Sequence, residues 1–145
     1  MKIRTMVTDD INTVFDIRGS VVENYLSTKE LAELGFTPDL FKNMLLTDCV
    51  GWITYTDVAD AGFVVVNTQG KILGLFVRPD FEGMGFGKAL LKQAESWLYE
   101  QGIKEAWLAT SNDFSTRAHK FYKNMGWTMS IKLPRNQVRY QKNIG

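Results

Sequence analysis

The sequence predicts a mixed α/β fold, in which a central, mostly antiparallel sheet of about six to seven strands is flanked by about four helices. Residues 51–56, 62–67 and 71–77 are apolar segments separated by turn residues, which is typical of an antiparallel meander. A Gly-rich segment, an amphipathic helix that stops near Gln101 and a strand at 104–110 follow. The strands on either side of this helix should run parallel, with a right-handed crossover.

The remaining elements follow from the periodicity at the two ends of the chain. A short first strand covers residues 1–6, and a helix that begins near residue 9 has an apolar stripe interrupted by one cation, Arg18. Two short helical pieces at 31–35 and 38–46 flank a Gly-Phe-Thr-Pro break. A helix at 116–124 and strands at 127–133 and 137–141 complete the chain. No linker or repeat divides it, so we expect a single domain over residues 1–145.

The composition argues against several classes of function. Lys and Arg number 17 against 16 Asp and Glu, a balance that provides no basic field for nucleic acid or an anionic membrane. Cys49 is the only cysteine and His119 the only histidine, so no metal site is expected. No apolar stretch has the length of a secretion signal or a membrane span, and we expect a cytoplasmic protein.

The segment 75–91 contains the strongest functional signal. Gly83, Gly85 and Gly87 alternate just before a helix, so that uncovered backbone N–H groups converge at the positive end of the helix dipole. Such a cradle suits a diphosphate, at the carboxyl end of the strand that ends at Val77. The spacing matches neither the P-loop nor the G-x-G-x-x-G dinucleotide motif, and a tight turn with close helix packing is the alternative interpretation.

The run R-P-D-F-E-G-M-G-F-G-K-A-L-L, which begins at Arg78, resembles the acyl-CoA-binding motif of the GNAT superfamily of N-acyltransferases. The family pattern Q/R-x-x-G-x-G/A falls on Glu82, Gly85 and Gly87. Glu82 departs from this pattern, and because a carboxylate repels a diphosphate we expect its side chain to turn outward and only its backbone to contribute. The resemblance implies that the loop amides hold the pyrophosphate of acetyl-CoA, through residues Gly83, Met84, Gly85, Phe86, Gly87 and Lys88.

The later run S-T-R-A-H-K-F-Y-K-N-M-G-W, which begins at Ser115, resembles a second motif of the same family, N-x-x-A-x-x-x-Y followed by a Gly-aromatic pair. Ala118 and Tyr122 fit this motif. Ser115 stands where Asn is usual and retains one hydrogen bond for a pantetheine carbonyl. The two motifs have the family's order and spacing, and the element order from Lys2 to Tyr140 fits a GNAT-like fold.

The resemblance also implies roles for the residues around the cofactor. Phe76 and Val77 end a strand that splays from its parallel neighbour, so they are candidates to contact the pantetheine arm and the thioester. Tyr122 matches the family's general acid, which protonates the departing thiolate, while simple packing on the apolar face of its helix is the alternative. Four cations are candidates for the 3′-phosphate or for solvent-facing positions: Lys88, Arg117, Lys120 and Lys123.

The acceptor site and the general base are less well defined. The candidates to line an acceptor pocket are Arg18, Glu23, Tyr25, Trp52 and Tyr55. Arg18 either holds a substrate carboxylate or snorkels from the helix edge. Glu23 either takes the amine proton through water or is an ordinary solvated acid, with bulk solvent as the alternative base. His119, alone on a basic helix, is expected to be solvent-exposed.

Together these features predict an acetyl-CoA-dependent N-acetyltransferase in which a primary amine of a small molecule or peptide attacks the thioester directly. A non-catalytic acyl-CoA-binding sensor is the alternative, supported by the missing strand acid and the departures at Glu82 and Ser115. The charge balance disfavours a nucleic-acid module. We expect no nucleic-acid or membrane partner, and exposed strands near the C-terminus are compatible with a homodimer.

Overall fold

The computed structural model describes residues 2–145, which form seven β-strands and five α-helices. The strands are β1 (Lys2–Thr5), β2 (Cys49–Tyr55), β3 (Asp60–Asn67), β4 (Ile72–Val77), β5 (Glu105–Ser111), β6 (Thr128–Leu133) and β7 (Gln137–Asn143). The helices are α1 (Ile11–Ser20), α2 (Thr28–Glu33), α3 (Pro38–Thr47), α4 (Phe86–Glu100) and α5 (Arg117–Asn124). Short 3₁₀ turns cover Thr8–Asp10 and Pro79–Phe81. Met1, which the predicted first strand included, lies outside the described residues.

Two antiparallel sheets, with strand orders β1-β2-β3-β4 and β5-β7-β6, meet along β4 and β5. These two strands run parallel and are bridged near their starts, where Lys71 pairs with Trp107. The Trp107 N–H donates to the Gly70 carbonyl at 3.0 Å. Among residues 2–145 no further ladder pair joins β4 to β5, so the strands diverge toward their carboxyl ends and leave a V-shaped opening.

A bulge in β4 contributes to this divergence. Val65 pairs with Gly74 and Val66 pairs with Ile72, which leaves Leu73 as an extra residue in β4. Bulges of this kind bend a strand and increase its local twist. The bulge therefore turns the second half of β4 relative to its first half, next to the point where β4 leaves β5.

The side-chain alternation of β2, β3 and β4 builds a hydrophobic core on both faces of the first sheet. On one face Val64, Val66 and Ile72 pack against α4. On the other face Ile53, Phe63 and Val65 pack against α1 and α3. Because α4 is anchored by buried apolar side chains along its length, its N-terminus is fixed at the open end of the V; these side chains are Leu90, Leu91, Ala94 and Leu98.

The predicted mixed α/β fold is confirmed, with five helices where about four were expected. α2 and α3 are separate helices because each has its own cap: the Ser27 hydroxyl accepts the Glu30 N–H at 3.1 Å, and the Thr37 hydroxyl accepts the Leu40 N–H at 3.2 Å. α1 begins at Ile11, slightly later than predicted, because a 3₁₀ turn precedes it. None of the helices described is both long and apolar enough to cross a membrane.

Candidate active site

The V between β4 and β5 opens into a cavity of about 580 Å³. This volume lies within the range of small-molecule sites, roughly 300–1,000 Å³. Residues 72–77 of β4 and 108–110 of β5 form its two walls, and the start of α4 and one side of α5 border it. Three residues of the segment after α1 form the remaining wall: Val21, Glu23 and Asn24.

The loop before α4 presents free backbone amides to this cavity. Gly83 and Gly85 have φ values of 75° and 87°, in the left-handed region that favours glycine. Gly85 immediately precedes the 15-residue helix α4. Within residues 2–145 no protein group accepts a hydrogen bond from the amides of Gly83 to Lys88. These donors, at the positive end of the helix dipole, suit an anionic ligand.

The residues predicted for the cradle are therefore brought together, with one difference. Glu82, Gly83, Gly85, Phe86, Gly87 and Lys88 line the cavity. Met84 does not line it, and its side chain is exposed to solvent. Its contribution is restricted to its backbone amide.

One edge of β4 faces the opening without a strand partner. From Gly74 to Val77 this strand pairs with β3 on one side, and across the V no residue of the described chain pairs with it. A free strand edge binds an extended ligand through alternating N–H and C=O groups. Phe76 and Val77, the two residues predicted to contact a pantetheine arm, both line the cavity on this edge.

Tyr122 of α5 lies inside the cavity wall and is only 7% exposed. Its ring packs against those of Phe121, Trp127 and Tyr140, with centroid distances of 5.1, 5.9 and 5.7 Å. In the described part of the chain its hydroxyl has no hydrogen-bond partner. Burial raises the pKa of Tyr122, so the phenol keeps its proton at neutral pH.

The expectation that His119 is solvent-exposed is wrong. The imidazole is 3% exposed, with Nδ1 2.7 Å from the Tyr140 hydroxyl and Nε2 2.7 Å from the Ser111 carbonyl. A neutral ring satisfies both contacts if Nε2–H donates to the carbonyl and Nδ1 accepts from Tyr140. The Phe114 ring covers the imidazole at 4.7 Å. His119 therefore ties α5 to β5 and β7 and has no free nitrogen for catalysis.

The Glu82 side chain, which was expected to turn outward from a bound diphosphate, has a partner that the sequence did not indicate. Its carboxylate forms an ion pair with Arg117 at the start of α5, so the two motifs contact each other across the mouth of the cavity. Arg117 has a second contact, in which its backbone N–H donates to the Glu23 carboxylate at 2.9 Å. The Glu23 carboxylate thus caps α5 from a distant segment of the chain.

Of the other residues that were predicted to contact the cofactor, some line the cavity and others do not. Ala118 and Lys88 line the cavity. Lys120 and Lys123 are exposed and do not line it. The Ser115 hydroxyl donates to Asp113 at 2.6 Å and lies outside the cavity wall, so the structure does not bring it to the position predicted for a pantetheine contact.

Three acceptor candidates do not line the cavity. The expectation that Trp52 lines an acceptor pocket is wrong, because its side chain is buried in the core on the α4 side of the sheet. The centroids of the Trp52 and Trp97 rings are 6.0 Å apart. Tyr55 lies beside Lys2 and Arg4 on the far edge of the sheet. Tyr25 is exposed and does not line the cavity.

Glu23 lines the cavity directly, and Arg18 contacts two residues that line it. Arg18 is buried, with its guanidinium carbon 4.2 Å from the centroid of the Phe76 ring. Its Nη2 donates to the Asn24 carbonyl at 2.9 Å. Arg18 is thus buried within the apolar stripe of α1, and the snorkelling alternative does not hold.

Asn24 and Thr110 line the cavity although the sequence interpretation did not include them. The Asn24 amide donates to the Thr110 hydroxyl at 3.5 Å, and Asn24 has a φ of 57°. Asn adopts this left-handed conformation more readily than most residues. The sequence could therefore have indicated a turn at Asn24. For Thr110 the only indication was its position near the end of a predicted strand.

Free amides at a helix N-terminus, an unpaired strand edge and a protonated tyrosine lie together at the open end of two splayed parallel strands, a combination that suits an acyl-CoA. The sequence model of the Acetyltransferase (GNAT) family matches residues 16–127. The chain therefore belongs to the GNAT acetyltransferase family and is an acetyl-CoA-dependent N-acetyltransferase.

Solved structures with low sequence identity share this fold along almost the whole chain. The PaiA N-acetyltransferase of Thermoplasma acidophilum, in complex with coenzyme A, is similar at 18% identity, with a TM-score of 0.80 and 99% of each chain covered. Ard1 from Thermoplasma volcanium is 22% identical, with a TM-score of 0.73 and 98% and 96% of the two chains covered. The ribosomal-protein-S18-alanine N-acetyltransferase from Escherichia coli is 15% identical, with a TM-score of 0.77 over 99% and 94%. Comparison with curated protein sequences gives no significant match.

Proposed function

We propose that the cavity between β4 and β5 is where this enzyme transfers an acetyl group from acetyl-CoA to a primary amine, with Tyr122 as the general acid. The observation that carries the proposal is the joint presence, around one cavity, of the free amides from Gly83 to Lys88, the free edge of β4 and the Tyr122 phenol. Acetyl-CoA supplies the acetyl group as a thioester. The residues of the chain bind the cofactor, orient it and provide a proton.

The free groups on the protein fit the chemical parts of the cofactor. The amides from Gly83 to Lys88 suit its diphosphate. The main-chain groups of Phe76 and Val77 suit the amides of a pantetheine arm laid along β4. Lys88 and Arg117 line the mouth of the cavity and are the cations available to the 3′-phosphate, although Arg117 must then share its charge with Glu82.

Tyr122 is proposed as the donor of the proton that the departing thiolate takes. Its hydroxyl has no partner within residues 2–145, so the proton is not held by another protein group. Burial raises the pKa of the phenol, so the proton stays on its oxygen at neutral pH and is present when the thiolate forms. A thiolate released in the same apolar cavity is destabilised by the loss of water, which raises the pKa of its thiol and favours uptake of the proton.

The amine is proposed to enter beside Glu23 and Asn24 and to lose its proton to water that contacts Glu23. Two carboxylates line the cavity: Glu82, which is paired with Arg117, and Glu23. One oxygen of Glu23 accepts the Arg117 N–H, and the other is available to water at this end. Tyr25, exposed on the same segment, is proposed to contact the outer part of the acceptor.

Three further expectations from the sequence stay predictions. A cytoplasmic location is consistent with the lone cysteine, Cys49, which lies buried. A homodimer is consistent with β6, an edge strand of the second sheet with Met129 and Ile131 exposed. Action as one domain is consistent with core clusters on both faces of the first sheet, contributed by elements from β1 to β7.

Amine-dependent release of the coenzyme A thiol tests the proposal. Wild-type protein is given acetyl-CoA and a panel of amino acids, polyamines, peptides and simple amines, and mass spectrometry detects the acetylated product. We expect thiol release that depends on the amine and is matched by product. Acetyl-CoA binding without amine-dependent thiol release across the panel would instead support the acyl-CoA sensor.

A further inference from the structure

Arg18 is a buried cation at the acceptor end of the cavity. It lies in the last turn of α1 and is 7% exposed. Its guanidinium stacks over Phe76, a residue of the free β4 edge, with 4.2 Å between the guanidinium carbon and the ring centroid. Nη2 donates to the main-chain carbonyl of Asn24 at 2.9 Å. Both contacts of Arg18 therefore line the cavity.

The charge of Arg18 has no counter-charge in the described chain. No Asp or Glu of residues 2–145 forms an ion pair with it, whereas Arg4, which also stacks on an aromatic ring, pairs with both Asp10 and Asp60. Burial lowers the pKa of Arg18, and no carboxylate acts in the opposite direction. A buried charge is normally compensated by a partner, so this environment is electrostatically incomplete.

One end of the guanidinium also has no hydrogen-bond acceptor. Among the buried side-chain nitrogen and oxygen atoms described, Nη1 of Arg18 is the one without a partner. Buried polar groups are almost always paired, and an unpaired one marks a place where a ligand or water is missing. A guanidinium edge is shaped to receive the two oxygens of a carboxylate.

The side chain of Asn24, whose carbonyl accepts from Nη2 of Arg18, is weakly held. Asn24 contacts Arg18 and lines the cavity, and its amide donates to Thr110 at 3.5 Å, the long limit for a hydrogen bond. A carboxylate bound at Nη1 would lie close to Phe76, on which the guanidinium stacks, and therefore close to the β4 edge, where the thioester is proposed to lie.

From this geometry we infer that Arg18 binds a carboxylate of the acceptor, and that the acceptor is a small amine with a free carboxylate a few bonds from its nitrogen, as in an amino acid. The inference rests on the proposed function of the cavity and adds the substrate class. A polyamine would instead bring a second positive charge next to an uncompensated cation, and an internal peptide segment would offer only neutral carbonyls.

The test compares amino acids with their primary amides. Glycine, β-alanine, L-leucine and L-glutamate are each paired with the corresponding amide, and kcat/KM is measured by thiol release at saturating acetyl-CoA. Wild type is compared with Arg18→Met, which retains packing over Phe76, and with Arg18→Lys, which retains the charge without the guanidinium fork. Arg139→Met is the matched control, because Arg139 stacks on Trp107 at 4.6 Å and pairs with Glu105 away from the cavity.

We expect wild type to prefer the acid of at least one pair, and Arg18→Met to reduce the acid-to-amide ratio of kcat/KM by on the order of 10- to 100-fold, through the KM of the acid. Arg18→Lys should fall between these two proteins, and Arg139→Met should retain the wild-type ratio. An unchanged ratio in Arg18→Met, or a wild-type preference for amides or polyamines, would overturn the inference.

A binding measurement separates this inference from the proposed function. The same four amino acids are added to protein saturated with coenzyme A, and the thermal unfolding midpoint is recorded. Stabilisation of wild type but not of Arg18→Met supports a carboxylate site even if no thiol is released, in which case the catalytic proposal alone fails. If none of the four amino acids raises the wild-type midpoint, the carboxylate site is refuted whether or not other amines are acetylated.

Discussion

Substitution of Tyr122 by Phe tests the proposed general acid with little disturbance of the fold. The change removes one hydroxyl and leaves the ring, which packs against Phe121, Trp127 and Tyr140. Within residues 2–145 the hydroxyl forms no hydrogen bond. The variant therefore removes the proton donor while the aromatic contacts that hold α5 in position remain.

The structure sets the size of the two expected effects. Because no protein hydrogen bond is lost, the free energy of unfolding should change by less than about 1 kcal/mol. Loss of a general acid typically lowers a rate by roughly 100- to 10,000-fold, so kcat should fall by an amount in that range. The dissociation constant for acetyl-CoA should change by less than about threefold, since Tyr122 is proposed to act on the leaving sulfur and not on binding.

The assay is single-turnover thiol release at saturating acetyl-CoA and amine, together with a binding titration and urea unfolding of the same preparations. Phe121→Leu is a control, because it alters packing next to Tyr122 without removing a hydroxyl. If Tyr122→Phe has the wild-type turnover rate, Tyr122 is not the acid. If it loses stability and turnover in the same proportion as Phe121→Leu, its role is packing.

Three further predictions concern the loop, the ion pair and alkaline pH. Gly85→Ala places a side chain at φ 87°, so it should cost about 1–2 kcal/mol of stability and weaken acetyl-CoA binding at least tenfold in a titration. Gly102→Ala is the control, because Gly102 has a similar φ of 80° beyond the other end of α4. It should cost similar stability and retain binding. Glu82→Gln removes the carboxylate beside the proposed diphosphate and frees Arg117, so binding measured in the same titration should tighten by roughly 3- to 10-fold; weaker binding would show that the ion pair supports the cofactor. Burial raises the pKa of Tyr122 in the folded protein above its unfolded value near 10, so the tyrosine of the unfolded state loses its proton first as the pH rises. Denaturant titrations above about pH 10 should therefore show a larger loss of stability in wild type than in Tyr122→Phe.

Local sequence signals predicted the elements of this fold and the loop that borders its cavity. Gly83, Gly85 and the apolar period of α4 are separated by few residues, so turn geometry, helix start and anion cradle follow from one short segment. Phe76 and Val77 follow from the same segment because they end the strand that leads into it. The periodicity of α1 likewise indicated that Arg18 faces apolar neighbours.

The errors and omissions concern contacts between residues far apart in the chain. His119 looked polar on its short helix, but its burial depends on Tyr140 in β7, which supplies the hydroxyl partner. Glu82 meets Arg117, 35 positions later, and neither residue signals the other in sequence. The burial of Trp52 was not predicted, because side-chain alternation in β2 does not itself say which face α4 covers.

The wall of the cavity that is proposed to receive the acceptor was the least predictable part. It depends on the segment after α1, where Glu23 caps α5 and Asn24 contacts both Arg18 and Thr110. This segment has no periodic pattern that would fix its conformation, and its position is set by three side-chain contacts with other elements. Local propensities contain no information about such contacts.

The central claim is that the V between β4 and β5, with the loop before α4, is the acetyl-CoA site. Backbone amide chemical shifts of ¹⁵N-labelled protein, recorded during a titration with coenzyme A, test it most directly. We predict that the largest changes occur at the amides of Gly83 to Lys88 and along β4 from Gly74 to Val77. Saturable changes confined to other parts of the chain, with these amides unaffected, would contradict the claim.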